Sequence, residues 1–210
     1  MDGSNSRKTV RIGVFIPTEA QLLDVAVVDV LGSTSCEYFR IIDAPSVIID
    51  LAPRVTIFCT VQPGELIPTT SNLKLECTHH LSDPEVQPGK LDIVLVPGPN
   101  PKSTWDDPVT SWLAAHAARS ETDILSVCTG VFLCGAAGIL KGKKACGPRS
   151  VQSILRSRFE GVTWPGGELR WVKDGNIWSS GGITNGNDMV AAYIRDSPHF
   201  PGPSQSSVLL

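Results

Sequence analysis

The chain has 210 residues, 41% hydrophobic and 19% charged, with a formal net charge of −3, the size and balance of a single α/β domain around one core. Its basic residues form no run and do not interleave with aromatics, which argues against a nucleic-acid partner. The polar opening MDGSNSRKTV lacks the apolar core of a signal peptide and no apolar run approaches membrane-spanning length, so a soluble, cytoplasmic protein without a membrane partner is expected.

A polar tail (1–8) precedes the first predicted strand, TVRIGVFI (9–16). A helical segment, EAQLLDVAVVDVL (19–31), follows, and then the strands RVTIFCT (54–60) and LDIVLVPG (91–98). Next come a helix over 106–118 with proline near its start, the strand DILSVC (123–128), and helices over 130–140 and 148–159. The strands are short and apolar throughout, the pattern of a parallel sheet covered by helices on both faces. RWVKDGNIWSSGG (170–182) reads as two strands about the turn Asp174-Gly175-Asn176, and 184–196 as a last helix. The span 9–196 is read as one domain, and the Pro/Ser-rich tail 197–210 as poorly ordered.

Six cysteines without a CxxC pair support neither a zinc site nor a disulfide framework, and free thiols are expected. One stands apart. SVCTG places Cys128 at a strand's carboxyl end, directly before a helix, where open α/β sheets collect ligands. The helix dipole there favours a thiolate of lowered pKa, and turn amides can receive negative charge; small Gly130 leaves room for a tight elbow. The competing reading is a buried core cysteine. Two other strand ends converge on the same edge. PTEAQLLD (17–24) offers Asp24, flanked by apolar residues that would raise its pKa, and, ranked lower, Glu19; VPGPNP (96–101) offers Gly98 for close backbone approach. Each also has a structural reading, as helix N-terminal acids or an ordinary proline-rich turn.

Taken together, QLLDVA, LVPGP, SVCTGVFLCGAAGILKGKKA and DGNIWSSGGITNGNDMV resemble the ThiJ/PfpI superfamily, in order and spacing, from residue 10 to about 196. The resemblance implies a flavodoxin-like three-layer α/β/α sandwich of the class I glutamine-amidotransferase type, a Cys128 nucleophile, no metal or organic cofactor, and a homodimer. Aspartate in LLD and threonine after the cysteine are similar to the isonitrile hydratase branch, which implies Cys128 as nucleophile, Asp24 as general acid/base and Thr129 as an orienting hydroxyl.

Two departures qualify the resemblance. Pro148 stands where many relatives carry a histidine, and Pro99 stands where they often carry a second glycine, so one oxyanion donor must come from elsewhere or be absent. His79, His80, His116 and His199 read as surface or loop residues. Amidase and peptidase chemistry, which needs a base to protonate an amine leaving group, is disfavoured. Isonitrile hydration has no leaving group and is the leading expectation. The alternatives are a cofactor-free lyase, isomerase or cyclase of secondary metabolism, a glyoxalase- or deglycase-like enzyme, and a redox-sensing chaperone-like protein. Trp105, Trp164, Trp171 and Trp178 are read as core, Asn185 and Asp188 as caps of the last helix with a pocket role open for Asn185, and Cys146 as a residue that could reach the site.

Overall fold

In a computed structural model, which describes residues 8–61 and 66–207, the first strand β1 (Thr9–Phe15) lies inside a sheet, with a strand on either side. β2 (Arg54–Val61) pairs with it in parallel along its whole length. A short two-stranded antiparallel flap, β3 (Leu66–Pro68) and β4 (Lys74–Glu76), precedes the edge strand β5 (His79–His80). β6 (Ile93–Val96), β7 (Asp123–Ser126), β8 (Trp171–Asp174) and β9 (Ile177–Ser180) complete a seven-stranded sheet of order β5-β2-β1-β6-β7-β9-β8. Only the β8–β9 hairpin is antiparallel; Gly175 turns it at φ +63°, where glycine has no Cβ to clash.

Helices α1 (Leu22–Val25), α2 (Val27–Gly32), α3 (Cys36–Ile41) and α4 (Ser46–Leu51) occupy the chain between β1 and β2. α5 (Asp107–Ala117), α6 (Gly130–Ala136), α7 (Gln152–Arg158), α8 (Asn185–Asp196) and α9 (Gly202–Ser207) follow. The sheet is covered on both faces, and β6 shows why its sequence is apolar throughout. Ile93 and Leu95 join one core with Val27, Leu31, Met189 and Tyr193; Val94 and Val96 join the other with Trp112, Leu113, Phe132 and Leu133. Helices on both faces are what the alternation of strands and helices predicts, and the arrangement is the flavodoxin-like three-layer α/β/α sandwich that the resemblance implies.

The differences from the predicted elements are local. The segment 19–31 folds as two helical pieces joined at Ala26, where Asp29 N–H reaches the Ala26 carbonyl, an i→i−3 bond of 3.0 Å that tightens the turn. The helix over 130–140 stops at Ala136, because Gly138 adopts φ +73° and Ile139 N–H closes onto the Cys134 carbonyl at 3.3 Å. α3, α4 and the β3–β4 flap carry no pattern strong enough to be read from the sequence.

The stretch after residue 196, where composition predicts little order, packs onto the body. Phe200 is fully buried against Tyr193, and Ser204 Oγ donates to the Thr34 carbonyl at 3.0 Å. One aromatic anchor holds a segment that its prolines and serines alone would leave loose. The polar tail read over 1–8 falls almost wholly outside the described residues, as do 208–210. Among the described residues no helix is long and apolar enough to cross a membrane, and none of the six cysteines forms a disulfide.

Candidate active site

The end of β7 builds a sharp turn. Val127 N–H continues the ladder to the Val96 carbonyl at 3.0 Å, Cys128 then takes φ +57°, and Gly130 N–H returns to the Val127 carbonyl at 2.9 Å. A left-handed cysteine stores on the order of 1–3 kcal/mol of strain, the mark of a nucleophile elbow. Glycine is obligatory two residues on, because a Cβ at Gly130 would lie 2.2 Å from the Val96 carbonyl oxygen.

Asp24 reaches the elbow from α1 and is completely buried. Its Oδ2 accepts the Gly98 N–H at 3.2 Å, while Oδ1 has no partner among the described residues. A Cβ on Gly98 would stand 2.5 Å from both Asp24 Oδ2 and Thr129 Oγ1, so that glycine is what lets three strand ends close on one point. Burial lifts the Asp24 carboxyl to about 6, against smaller opposing effects of the Cys128 thiol and the Gly98 amide.

The thiol does not have the lowered pKa expected from the helix dipole. Burial first and the neighbouring Asp24 charge second push Cys128 up to about 12, outweighing the Thr129 amide. α6 has only seven residues, and a short helix end cannot offset both desolvation and an adjacent carboxylate. The resting site is therefore a neutral thiol beside an acid that ionises near neutrality.

The remaining predicted residues separate into two groups. Thr129 Oγ donates to the Pro99 carbonyl at 2.7 Å, tying the elbow to the Gly98-Pro99 turn. Glu19 does not approach Cys128. Its Oε1 accepts from Asn100 N–H at 3.0 Å and Ser103 Oγ at 3.2 Å, bracing the loop that follows Pro99. Glu19, Gly98 and Pro99 line a cleft of about 420 Å³ beside the flap, whereas Cys128, Thr129 and Asn185 line a second one of about 740 Å³. Asn185 and Asp188 do not cap α8; both hold Arg170, at 2.9 Å from its Nε and 2.6 Å from its Nη2.

Sequence reasoning passed over several cleft residues. Gln21 lines both clefts, with Oε1 3.9 Å from the Cys128 sulfur, and sits in the same loop that supplied Asp24. Gly182 leaves space beside the buried sulfur, since a Cβ there would stand 3.2 Å from it. Ile183 is held at φ +61° and is 62% exposed at the cleft, an outlier for a β-branched residue that no sequence signal announces. Arg149 and Arg170 also line the cleft.

Pro148 lines the cleft, which contains no histidine. His116, expected at the surface, is buried instead. It stacks on Trp112 with 4.1 Å between ring centroids, its Nε2 is 3.1 Å from the Val86 carbonyl, and burial depresses its pKa to about 4. Cys146 is buried with its Sγ 3.5 Å from the Leu169 carbonyl and does not line the cleft. Among the described residues, no cluster of three His, Cys, Asp or Glu side chains could hold a metal.

A doubly wound sheet with a strained cysteine at a strand end and a buried acid against it defines a class of α/β proteins built around a thiol. The sequence pattern of the DJ-1/PfpI family matches residues 36–196, and the chain belongs to that family. It is 33% identical over 136 residues to an isonitrile hydratase of Pseudomonas putida, a stretch covering 63% of this chain and 56% of that protein's length. Its fold superposes on a ThiJ/PfpI family protein of Pseudomonas syringae with TM-score 0.71 at 18% identity, over 100% of this chain and 76% of that one. It superposes likewise on Drosophila melanogaster DJ-1beta, with TM-score 0.69 at 16% identity over 96% of each.

Proposed function

We propose that the protein is a cysteine enzyme of the isonitrile hydratase type, adding water to an isonitrile to give an N-substituted formamide. The observation that carries this reading is the pairing of a neutral, buried Cys128 with an Asp24 carboxyl raised to about 6, in a cleft without histidine. Such a pair suits a reaction in which a proton is moved and returned but no amine must be expelled.

In this reading Asp24 takes the thiol proton and delivers it to the terminal isonitrile carbon as Cys128 Sγ bonds to that carbon, forming a thioimidate. Water then adds to the C=N bond, with nitrogen taking up a proton. Collapse of the tetrahedral adduct breaks the C–S bond, releases the formamide and returns the proton to sulfur. Gln21 beside the sulfur and the Thr129 amide are the polar groups placed to hold the water and the adduct. The fact that an isonitrile hydratase is among the protein's relatives supports the same chemistry.

The test is formamide production from a small panel of isonitriles, followed by NMR. Because Asp24 must be ionised to accept the proton, kcat/KM rises as pH increases through about 6. Turnover retained in full by Cys128→Ser would falsify the mechanism.

A further inference from the structure

The charge lining the cleft is one-sided. Among the described residues, Arg149 and Arg170 are its only ionisable side chains besides Cys128, and no carboxylate lines it. Arg170 is neutralised, since its guanidinium is held by Asp188 at 2.6 Å and by Asn185 at 2.9 Å. Arg149 is exposed, stands beside the exposed Ser150 hydroxyl, and has no hydrogen bond or ion pair among the described residues. It follows Pro148 directly, on a single 3-10 turn over Arg149–Val151. Asp24 is fully buried beneath Gly98 beside the Cys128 sulfur, so its charge is not part of the cleft's lining.

We infer that the cleft selects a substrate carrying a carboxylate, which the exposed Arg149 guanidinium binds while the reacting carbon reaches Cys128. A planar guanidinium fork matches the two oxygens of a carboxylate, and an uncompensated cation on the approach to a thiol favours anionic electrophiles over neutral ones of equal size. The inference rests on the hydratase reading for the identity of the substrate, as an isonitrile-bearing carboxylic acid, but not for the anion site itself.

The experiment compares the rates at which iodoacetate and iodoacetamide alkylate Cys128, each normalised to free cysteine, with the modified site mapped by mass. The iodoacetate-to-iodoacetamide ratio is expected to exceed that of free cysteine by about fivefold, the range of a partly exposed ion pair. It should fall back in Arg149→Gln, and shrink as salt rises from about 0.1 M to about 1 M and the screening length drops. A ratio unmoved by Arg149→Gln overturns the proposal, and so does failure of both reagents to modify Cys128, since the cleft would then not lead to the thiol. In parallel, kcat/KM for isocyanoacetate should exceed that for its methyl ester and lose this advantage in Arg149→Gln. If the alkylation ratio depends on Arg149 while no isonitrile is hydrated, the anion site stands and the hydratase reading alone fails.

Discussion

The two ends of the parallel sheet make the same kind of investment and reach opposite outcomes. At the amino end, Asp123 is raised by burial, Tyr193 donates its hydroxyl to Asp123 Oδ2 at 2.8 Å, and the Arg11 amide donates to Asp92 Oδ2 at 2.8 Å. His199 lies between the two acids, 4.0 Å from Asp92 Oδ1 and 3.9 Å from Asp123 Oδ2. This end has a cleft of about 360 Å³ and more titratable groups than the carboxyl end; its acids are held by hydrogen bonds, His199 Nδ1 has no hydrogen-bond partner among the described residues, and no non-glycine residue lining it is held at positive φ. At the carboxyl end, Cys128 and Ile183 are held at positive φ, Asp24 keeps an unpartnered oxygen, and Gly98 and Gly182 leave space where side chains would close it. Both ends keep an unpartnered buried polar atom among the described residues, so what separates them is backbone strain beside open space, the combination that marks where chemistry is done.

Breaking the carboxyl end should abolish turnover before it harms the fold. Cys128→Ser is expected to lower kcat for isonitrile hydration by at least about a thousandfold, measured by formamide release, because among the described residues no other thiol lines the cleft. Asp24→Asn should cost about a hundredfold or more and erase the rise in kcat/KM near pH 6, as a pH profile of the variant would show.

The same substitution should also stabilise the protein. A carboxyl raised from 3.8 to about 6 makes the folded state poorer at holding the charge, a penalty absent below the unfolded value and fully developed above about 6. Asp24→Asn therefore raises the melting temperature at about pH 7.5 by the equivalent of on the order of 2–3 kcal/mol and leaves it nearly unchanged near pH 3.5. Equal melting shifts at both pH values would rule out the burial penalty.

Gly98→Ala forces a methyl group to within 2.5 Å of Asp24 Oδ2 and Thr129 Oγ1, and overpacking of this kind costs about 1–3 kcal/mol. Lower kcat together with a lower melting temperature is the expected pattern. The smallest effect on turnover should come from the amino end. Tyr193→Phe removes the 2.8 Å bond to Asp123 and should destabilise by about 1–3 kcal/mol with kcat unchanged, as calorimetry and the formamide assay together would show.

Much of the framework was legible along the chain. β1, β2, β6 and β7 are continuous apolar runs, and such runs bury on both faces whatever their neighbours, so the parallel sheet followed from them. The position of Cys128 at the end of DILSVC also followed, because a strand run ending in Thr-Gly before a helical stretch leaves few other geometries. α3 and α4 were not legible: their exposed Ile41, Val47 and Leu51 break the amphipathic pattern that identifies a surface helix. His116 was misplaced because its burial depends on Trp112 and the Val86 carbonyl, one turn before it and 30 residues away.

Local pattern thus determined the sheet, the elbow and the candidate pair of Cys128 and Asp24, since strand period, glycine freedom and helix starts are properties of neighbouring residues. Tertiary structure alone decided that Glu19 braces a loop, that Asp188 silences Arg170 while Arg149 has no ion pair among the described residues, and that the thiol is protonated rather than ionised. Those outcomes depend on desolvation and on charges brought together from distant parts of the chain. Such effects are sums over a three-dimensional neighbourhood, and no stretch of sequence contains its own neighbourhood.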